Sequence, residues 1–389
     1  MKTRCYGTVL GIAALSVLTS CASMQIVENK EQLSYDGPKV KVGLFLDRGC
    51  RGNGALQWAR LLAHCPQLDL TILNAKDIRA GKLDGLQLLV CPGGGSTKQI
   101  AAMAEDGVAR VKQFIEDGGS YLGICAGSYN TMNHKGRMEL LPFDYNYAAA
   151  GKLADLAIDF NEEGAKLLGI KPGRHIARYH GGNIMHPTEP SDKMSDAKVL
   201  AVFKNSVSNY DKAPYNYMDT PSVVFGRYGK GKVLASSFHP ESYESTHDIA
   251  LGYVLALTGV QPVPVYPKKV NRPLRVGWLS LACVGPRAAH EMLSLDRDAA
   301  YDVDIFTTHE INEGRLRHYD VIVMTAGDGV SYKNLMDNEF NKVQIQNYLD
   351  NGGRIVASGN GGKYLPQHAN IQILPIGEPF AKALRALCK

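Results

Sequence analysis

The chain has 389 residues, 45% hydrophobic and 21% charged, with a formal net charge of +5. That length exceeds one ordinary domain and suits two, and the composition excludes a low-complexity or disordered polymer. The mildly basic balance gives no reason to expect nucleic acid as a partner.

At the N-terminus, Lys2 and Arg4 precede an apolar run from Val9 to Leu18. It is shorter than the ~20 residues a spanning helix needs. It ends in Leu18-Thr19-Ser20-Cys21, which resembles the lipobox of bacterial lipoproteins. The resemblance implies a signal peptide over 1–20, acylation at Cys21 and a lipid anchor in the bacterial envelope. Ala22, rather than aspartate, follows the cysteine and points to the periplasmic face of the outer membrane. The alternative is a plain secretory signal cut near Ala22 or Ser23. Removing residues 1–20 takes away Lys2 and Arg4 and no acid, so the charge falls from +5 to +3. Residues 21–38 read as a polar tether closing on Asp36-Gly37-Pro38. Of eight cysteines, Cys5 leaves with the signal and Cys21 is lipidated. The other six show no metal-like spacing, so neither metal nor cofactor is expected.

Val40–Leu46 is a short buried-type strand, and Leu274–Ser280 reads the same way; the shared Val-Gly pair sets an offset of 234 residues between Val42 and Val276. The same offset aligns Leu86–Gly93 with Asp320–Gly327, and Phe114–Gly119 with Tyr348–Gly353. Leu68–Leu73 matches Tyr301–Phe306 within one residue. Such self-similarity predicts a duplication. Each copy alternates short apolar strands with helical stretches such as Ile100–Asp117 and Asn338–Asn351, which predicts βαβ units and a parallel, doubly wound sheet. The folded units are expected over 39–262 and 272–389, joined by the proline-rich segment Thr258–Arg272. Ligands of such sheets gather at the carboxyl ends of the strands. There the loops Asp47–Asn53 and Cys91–Thr97 and the turn at Cys125 are expected to face one crevice. Asp47 and Arg48, ending the first strand, are candidate ligand contacts.

The strand Ser120–Ile124 runs into Gly123-Ile-Cys125-Ala-Gly127 and then a helix, the cysteine counterpart of a nucleophile elbow. Small flanking residues let strand and helix approach at a strained turn, and a helix N-terminus favours a thiolate. The competing reading is a buried structural thiol. Downstream, a strand ends at His239-Pro240-Glu241. A thiol nucleophile needs a base and the base an orienting carboxylate, and His239 and Glu241 are candidates for both.

Together, "PGGG" (Pro92–Gly95), "YLGICAG" (Tyr121–Gly127) and "FHPE" (Phe238–Glu241) resemble the class I glutamine amidotransferase-like superfamily. "GGSYLGICAGSY" and "KVGLFLD" are most similar to the N-terminal domain of eukaryotic biotin–protein ligases. The resemblance covers about Lys39 to Gly259. It implies a flavodoxin-like fold, with Cys125 as nucleophile, His239 as base, Glu241 as orienting acid, and the backbone at Gly93, Gly94 and Ala126 as oxyanion hole. Ser128-Tyr129-Asn130 replaces the family's usual Gly-His-Gln, which speaks against glutamine as substrate. No Gly-Arg-Gly-Arg-x-x-Arg adenylate loop is present, so biotin ligation is not supported.

In the second copy Cys125 falls on Gly359, and no His-x-Glu follows, so that copy is expected to be a structural or binding lobe without chemistry. "HGGNIMHP" (His180–Pro187) is a candidate crevice or metal loop, against an ordinary glycine-rich loop. Tyr210–Tyr217 is a candidate lid, and Cys50 and Cys91 are expected at the same rim as Cys125. The reading is an envelope lipoprotein carrying a possible Cys-His-Glu hydrolase or amidotransferase, acting through a thioester on a small amide or peptide-like ligand. The alternative is a non-enzymatic binding lipoprotein on the same fold. The oligomeric state is left open.

Overall fold

The computed structural model describes residues 35–146, 153–206, 217–281, 285–327 and 329–387. Cys21, Cys283 and Cys388 lie outside these residues, as does the lid candidate Tyr210–Tyr217 except for Tyr217. Among the described residues no helix is long and apolar enough to cross a membrane.

The first lobe opens with β1 (Val40–Phe45), β2 (Leu68–Leu73), β3 (Leu88–Cys91) and β4 (Ser120–Ile124). All are parallel, in the order β2-β1-β3-β4. β3 and β4 are buried along their whole length, as expected of strands with helices on both faces. After the short helix Ala126–Thr131 the chain builds β5 (Phe143–Asn146), β6 (Leu153–Phe160), β7 (Gly173–His180), β8 (Ile184–Pro187), β9 (Met194–Phe203) and β10 (Pro221–Tyr228). A tight turn then returns it as β11 (Gly231–Ser236), parallel to β4 with Ser236 opposite Ile124. The sheet is therefore mixed, in the order β2-β1-β3-β4-β11-β10-β9-β6-β7, with β5 and β8 paired separately. The antiparallel extension β10-β9-β6-β7 was not anticipated from the sequence.

The second lobe comprises β12 (Leu274–Leu279), β13 (Tyr301–Phe306), β14 (Val321–Met324), β15 (Arg354–Ser358) and β16 (Ile371–Leu374). All are parallel, in the order β13-β12-β14-β15-β16. That order repeats β2-β1-β3-β4-β11, with β1 and β4 falling on β12 and β15 at the 234-residue offset. The repeat extends to a defect. The helix Ser96–Glu116 is broken at Ala104 (φ 58°, ψ 179°), and the same offset lands on Asn338, which separates the helices Gly329–Asp337 and Glu339–Asp350.

The lobes dock through equivalent helices, Gly52–Ala63 and Pro286–Asp296. Asp296, 1% exposed, receives hydrogen bonds from Arg60 Nε (3.1 Å) and pairs with His64 Nε2 (2.6 Å). The linker is tied down as well. Val265 N donates to His64 O (2.7 Å), and the Tyr266 ring lies 4.5 Å from that of His64.

Candidate active site

At the end of β4 the chain turns sharply. Cys125 takes φ 49° and ψ −100°, a conformation non-glycine residues seldom adopt, and Ala126 begins the next helix. The flanking glycines permit this turn by close approach. A Cβ on Gly123 would stand 2.3 Å from Gly127 O, and one on Gly127 would stand 2.0 Å from Cys91 O. The strain is held by pairing on both sides, with Cys125 N donating to Ser236 O (2.8 Å) and Tyr129 N to Cys125 O (3.1 Å).

β11 runs beside β4 and ends where the elbow turns, so the residues just beyond it reach the thiol. His239 N donates to Arg178 O (2.8 Å), which fixes the segment against β7. His239 Nδ1 lies 2.8 Å from Glu241 Oε1, and the Cys125 sulfur is close enough to the imidazole to bear on its charge. Glu241 is fully buried. Room for it comes from Gly54, whose Cβ would sit 2.4 Å from Glu241 Oε1 and 3.2 Å from His239 Nδ1. Burial by itself disfavours a charged imidazole here. The negative charge of Glu241 and of the Cys125 sulfur outweighs it and raises His239 to about 10. The structure thus brings the three sequence candidates Cys125, His239 and Glu241 together at one place, with His239 and Glu241 hydrogen-bonded.

The remaining candidates divide. Gly94 lines the crevice beside Cys125. The bridge that holds its loop is made by Arg51 N to Gly93 O (3.1 Å) and Gly95 N to Gly49 O (2.7 Å), so the Gly94 amide takes no part in that pairing. The Ala126 amide, at the first position of its helix, has no acceptor within the helix. Gly93 lies under the imidazole, with a Cβ position 2.5 Å from His239 Cε1. Asp47 and Arg48 do not line the crevice. The Asp47 carboxylate accepts from Ala75 N (2.7 Å) and Arg48 N (2.6 Å), so it caps a helix start rather than facing a ligand.

Cys50 and Cys91 do not sit at the rim either. Both are 0% exposed beneath the elbow, in contact with Gln99 (3.6 and 3.5 Å), and both are unpaired. Burial pushes both thiols up, Cys91 to about 12. His180, from the glycine-rich loop, lines the crevice, and its carbonyl oxygen lies 3.5 Å from Cys125 Sγ. Partial burial, with the positive charge of His239 and Arg178, lowers its imidazole to about 4. His186 does not reach the crevice. Tyr217 is buried, its hydroxyl 3.0 Å from that of Tyr179, so it packs as core.

Arg51 lies in the loop Asp47–Asn53 expected at the crevice, but sequence reasoning did not single it out; it missed Arg178 and Ser242, which also line the crevice, and the wall that the second lobe provides. Arg178 approaches the triad only through its bridge to His239, a long-range pairing with no local signature. Hollows of similar size at the amino ends of the two sheets, about 620 and 720 Å³, contain no nucleophile–base pair.

Fold and site together define an α/β unit with a cysteine at a strand-to-helix elbow. Residues 83–138, which hold β3, the glycine loop, β4 and the elbow, match the family "Biotin-protein ligase, N terminal". The chain is 25% identical over 216 residues to the biotin–protein ligase of Schizosaccharomyces pombe, covering 48% of this chain and 32% of that protein. It therefore spans about a third of the ligase's length. It is also 25% identical over 206 residues to an uncharacterized protein of Chlamydia muridarum, covering 48% of this chain and 73% of that one. Among solved structures, a chain of PurLQS from Thermotoga maritima aligns at 17% identity and TM-score 0.43, over 57% of this chain and all of that one. A glutamine amidotransferase aligns at 22% identity and TM-score 0.38, over 56% and 99%.

Proposed function

We propose that the first lobe is a thiol enzyme that hydrolyses or transfers at a carbon–nitrogen bond of a small amide or peptide-like molecule. The observation that supports this is the buried Cys125–His239–Glu241 array at a strained elbow, beside amides left outside backbone pairing. In this reaction the Cys125 sulfur attacks the amide carbon while the Gly94 and Ala126 amides receive the oxyanion. The C–N bond breaks, the C–S bond of a thioester forms, and the proton held by His239 passes to the leaving nitrogen. Water or an amine then attacks the thioester and loses its proton to His239, and the C–S bond breaks to release the Cys125 thiolate. Glu241 holds one tautomer of the imidazole and stabilises its charged form.

An electrophilic acyl probe on the full chain tests this. Cys125 should be acylated rapidly, and Glu241→Gln should slow acylation at least about a hundredfold while the variant remains folded at the assay temperature. Equal acylation of wild type and Glu241→Gln would leave a binding protein on the same fold. Biotin ligation is no part of this reading. For location, we infer an envelope lipoprotein anchored at Cys21, supported by the Leu18–Cys21 lipobox. Palmitate should label the wild type and not Cys21→Ser, and label retained in the variant would exclude the anchor.

A further inference from the structure

The carboxyl ends of both sheets meet at Cys125. One crevice of about 600 Å³ is walled on one side by the elbow lobe and on the other by Ser280, Leu281, Thr307, Thr308, His309 and Asn312. These six come from the ends of β12 and β13 and the short helix after them, where a doubly wound sheet places its ligand contacts. The duplication has thus set a second ligand-binding edge opposite the first copy's nucleophile. That second edge has no chemistry of its own. Leu374 pairs with Ser358 as Ser236 pairs with Ile124. Counting on from those pairs, Gly359 stands for Cys125 and Gly377 for His239.

Apart from the nucleophile's own sulfur, the charge on the walls is positive. Arg51, Arg178 and the raised imidazole of His239 line the crevice, and no aspartate or glutamate does among the described residues. Arg178 is already engaged: its Nε donates to the Tyr243 hydroxyl (3.2 Å), and its Nη1 stands 3.9 Å from Glu310 Oε1 of the second lobe. Arg51 is exposed, and its side chain has no ion-pair partner among the described residues. The buried Ser242 Oγ also lines the crevice and has no hydrogen-bond partner. An unpaired guanidinium suits a carboxylate in planar, two-point contact, and a pocket this size takes a small molecule.

Resting on the reading of Cys125 as nucleophile, we propose that the substrate carries an anionic group of carboxylate type beside its scissile amide. Arg51 receives that group, and the second lobe, through Thr308 and Asn312, forms the selecting wall across from it. The second copy is therefore part of the site rather than a structural appendage.

Paired alkylating probes on the full chain test this, with Cys125 followed by peptide mapping. The probes are iodoacetate, which is anionic, and iodoacetamide, its neutral counterpart. The iodoacetate-to-iodoacetamide rate ratio at Cys125 should exceed that of free N-acetylcysteine by about tenfold or more, the scale of local electrostatic enrichment. Arg51→Gln should return the ratio to the free-thiol value. Asn312→Asp, which puts a carboxylate on the facing wall, should lower the ratio by about tenfold. A wild-type ratio equal to that of free thiol, or one insensitive to Arg51→Gln, overturns the anionic substrate. A ratio unmoved by Asn312→Asp overturns the second-lobe wall. Failure of both probes to alkylate Cys125 at all removes the nucleophile itself, and both proposals with it.

Discussion

His239 has two neighbours of one sign, and its protonation couples the site to the stability of the fold. Its imidazole is raised from an ordinary 6.5 to about 10, against burial, by Glu241 and Cys125. A group raised in the folded state binds its proton more tightly there than in the unfolded chain. Its contribution is fully present below pH 6.5 and is lost as the pH rises through about 10. Thermal melts between pH 6.5 and 10 should therefore show a steeper loss of stability in wild type than in His239→Gln. Parallel curves would place the imidazole outside such a pair. His239 and Glu241 were legible because they are two residues apart just beyond a strand, although Glu241 lies in the short 3-10 turn Pro240–Ser242 rather than on an extended end; Cys125 was legible because its glycines are adjacent in sequence. Arg51 was legible only as part of the loop Asp47–Asn53, because its own position depends on a bridge between two loops, Cys50 with Gly94. Asp47 was misplaced for a related reason. The end of a strand faces a ligand only if its carboxylate is not already satisfied, and here Ala75 N claims it.

Among elements, the elbow and the repeat explain each other. Gly359 has φ 52° and ψ −126°, close to the 49° and −100° of Cys125, so the second copy keeps the turn after losing the thiol. Backbone strain of this kind costs on the order of 1–3 kcal/mol in a residue with a Cβ. Cys125→Gly should therefore be more stable than Cys125→Ala by about 1 kcal/mol, after the larger unfolded-state freedom of glycine is set against the relief. Urea unfolding of the two variants measures it, and an alanine variant at least as stable would show that the elbow carries no strain. The duplicated strands were readable from apolar runs at a constant offset. The extension β10-β9-β6-β7 was not. It is inserted between the elbow helix and β11, where the second copy runs from its own elbow helix straight to β16, so no repeat marks it. Its β6 alternates buried and open positions only in part, a weak signal beside the continuous runs of the parallel strands.

At the scale of the whole molecule, the crevice exists only while the two lobes stay docked, and one buried carboxylate is central to that docking. Asp296 Oδ2 takes hydrogen bonds from Arg60 and His64 across the interface, and Lys269 of the linker donates to Asp296 O (2.6 Å). Burial works against the Asp296 charge, but His64 and Arg60 outweigh it and hold the carboxyl below its ordinary 3.8. Asp296→Asn leaves the Arg60 charge facing a neutral amide in a buried contact, and removing one member of such a group costs about 3 kcal/mol. The protein has two tryptophans. Trp58 lies in the first lobe and Trp278 in the second, both buried, so Trp58→Phe and Trp278→Phe backgrounds report each lobe's unfolding separately. In wild type both reporters should give one transition. In Asp296→Asn the midpoint should fall at both, and the Cys125 iodoacetate ratio should fall with it as the lobes part. Because the folded carboxyl is depressed, its contribution is present above pH 3.8 and lost as the pH drops through the lower folded value. The variant's deficit should accordingly be constant at neutral pH and shrink in acid. A deficit that persists undiminished below that range, or one seen at a single tryptophan, would assign Asp296 to the packing of its own lobe and leave the docking to the apolar contacts around it.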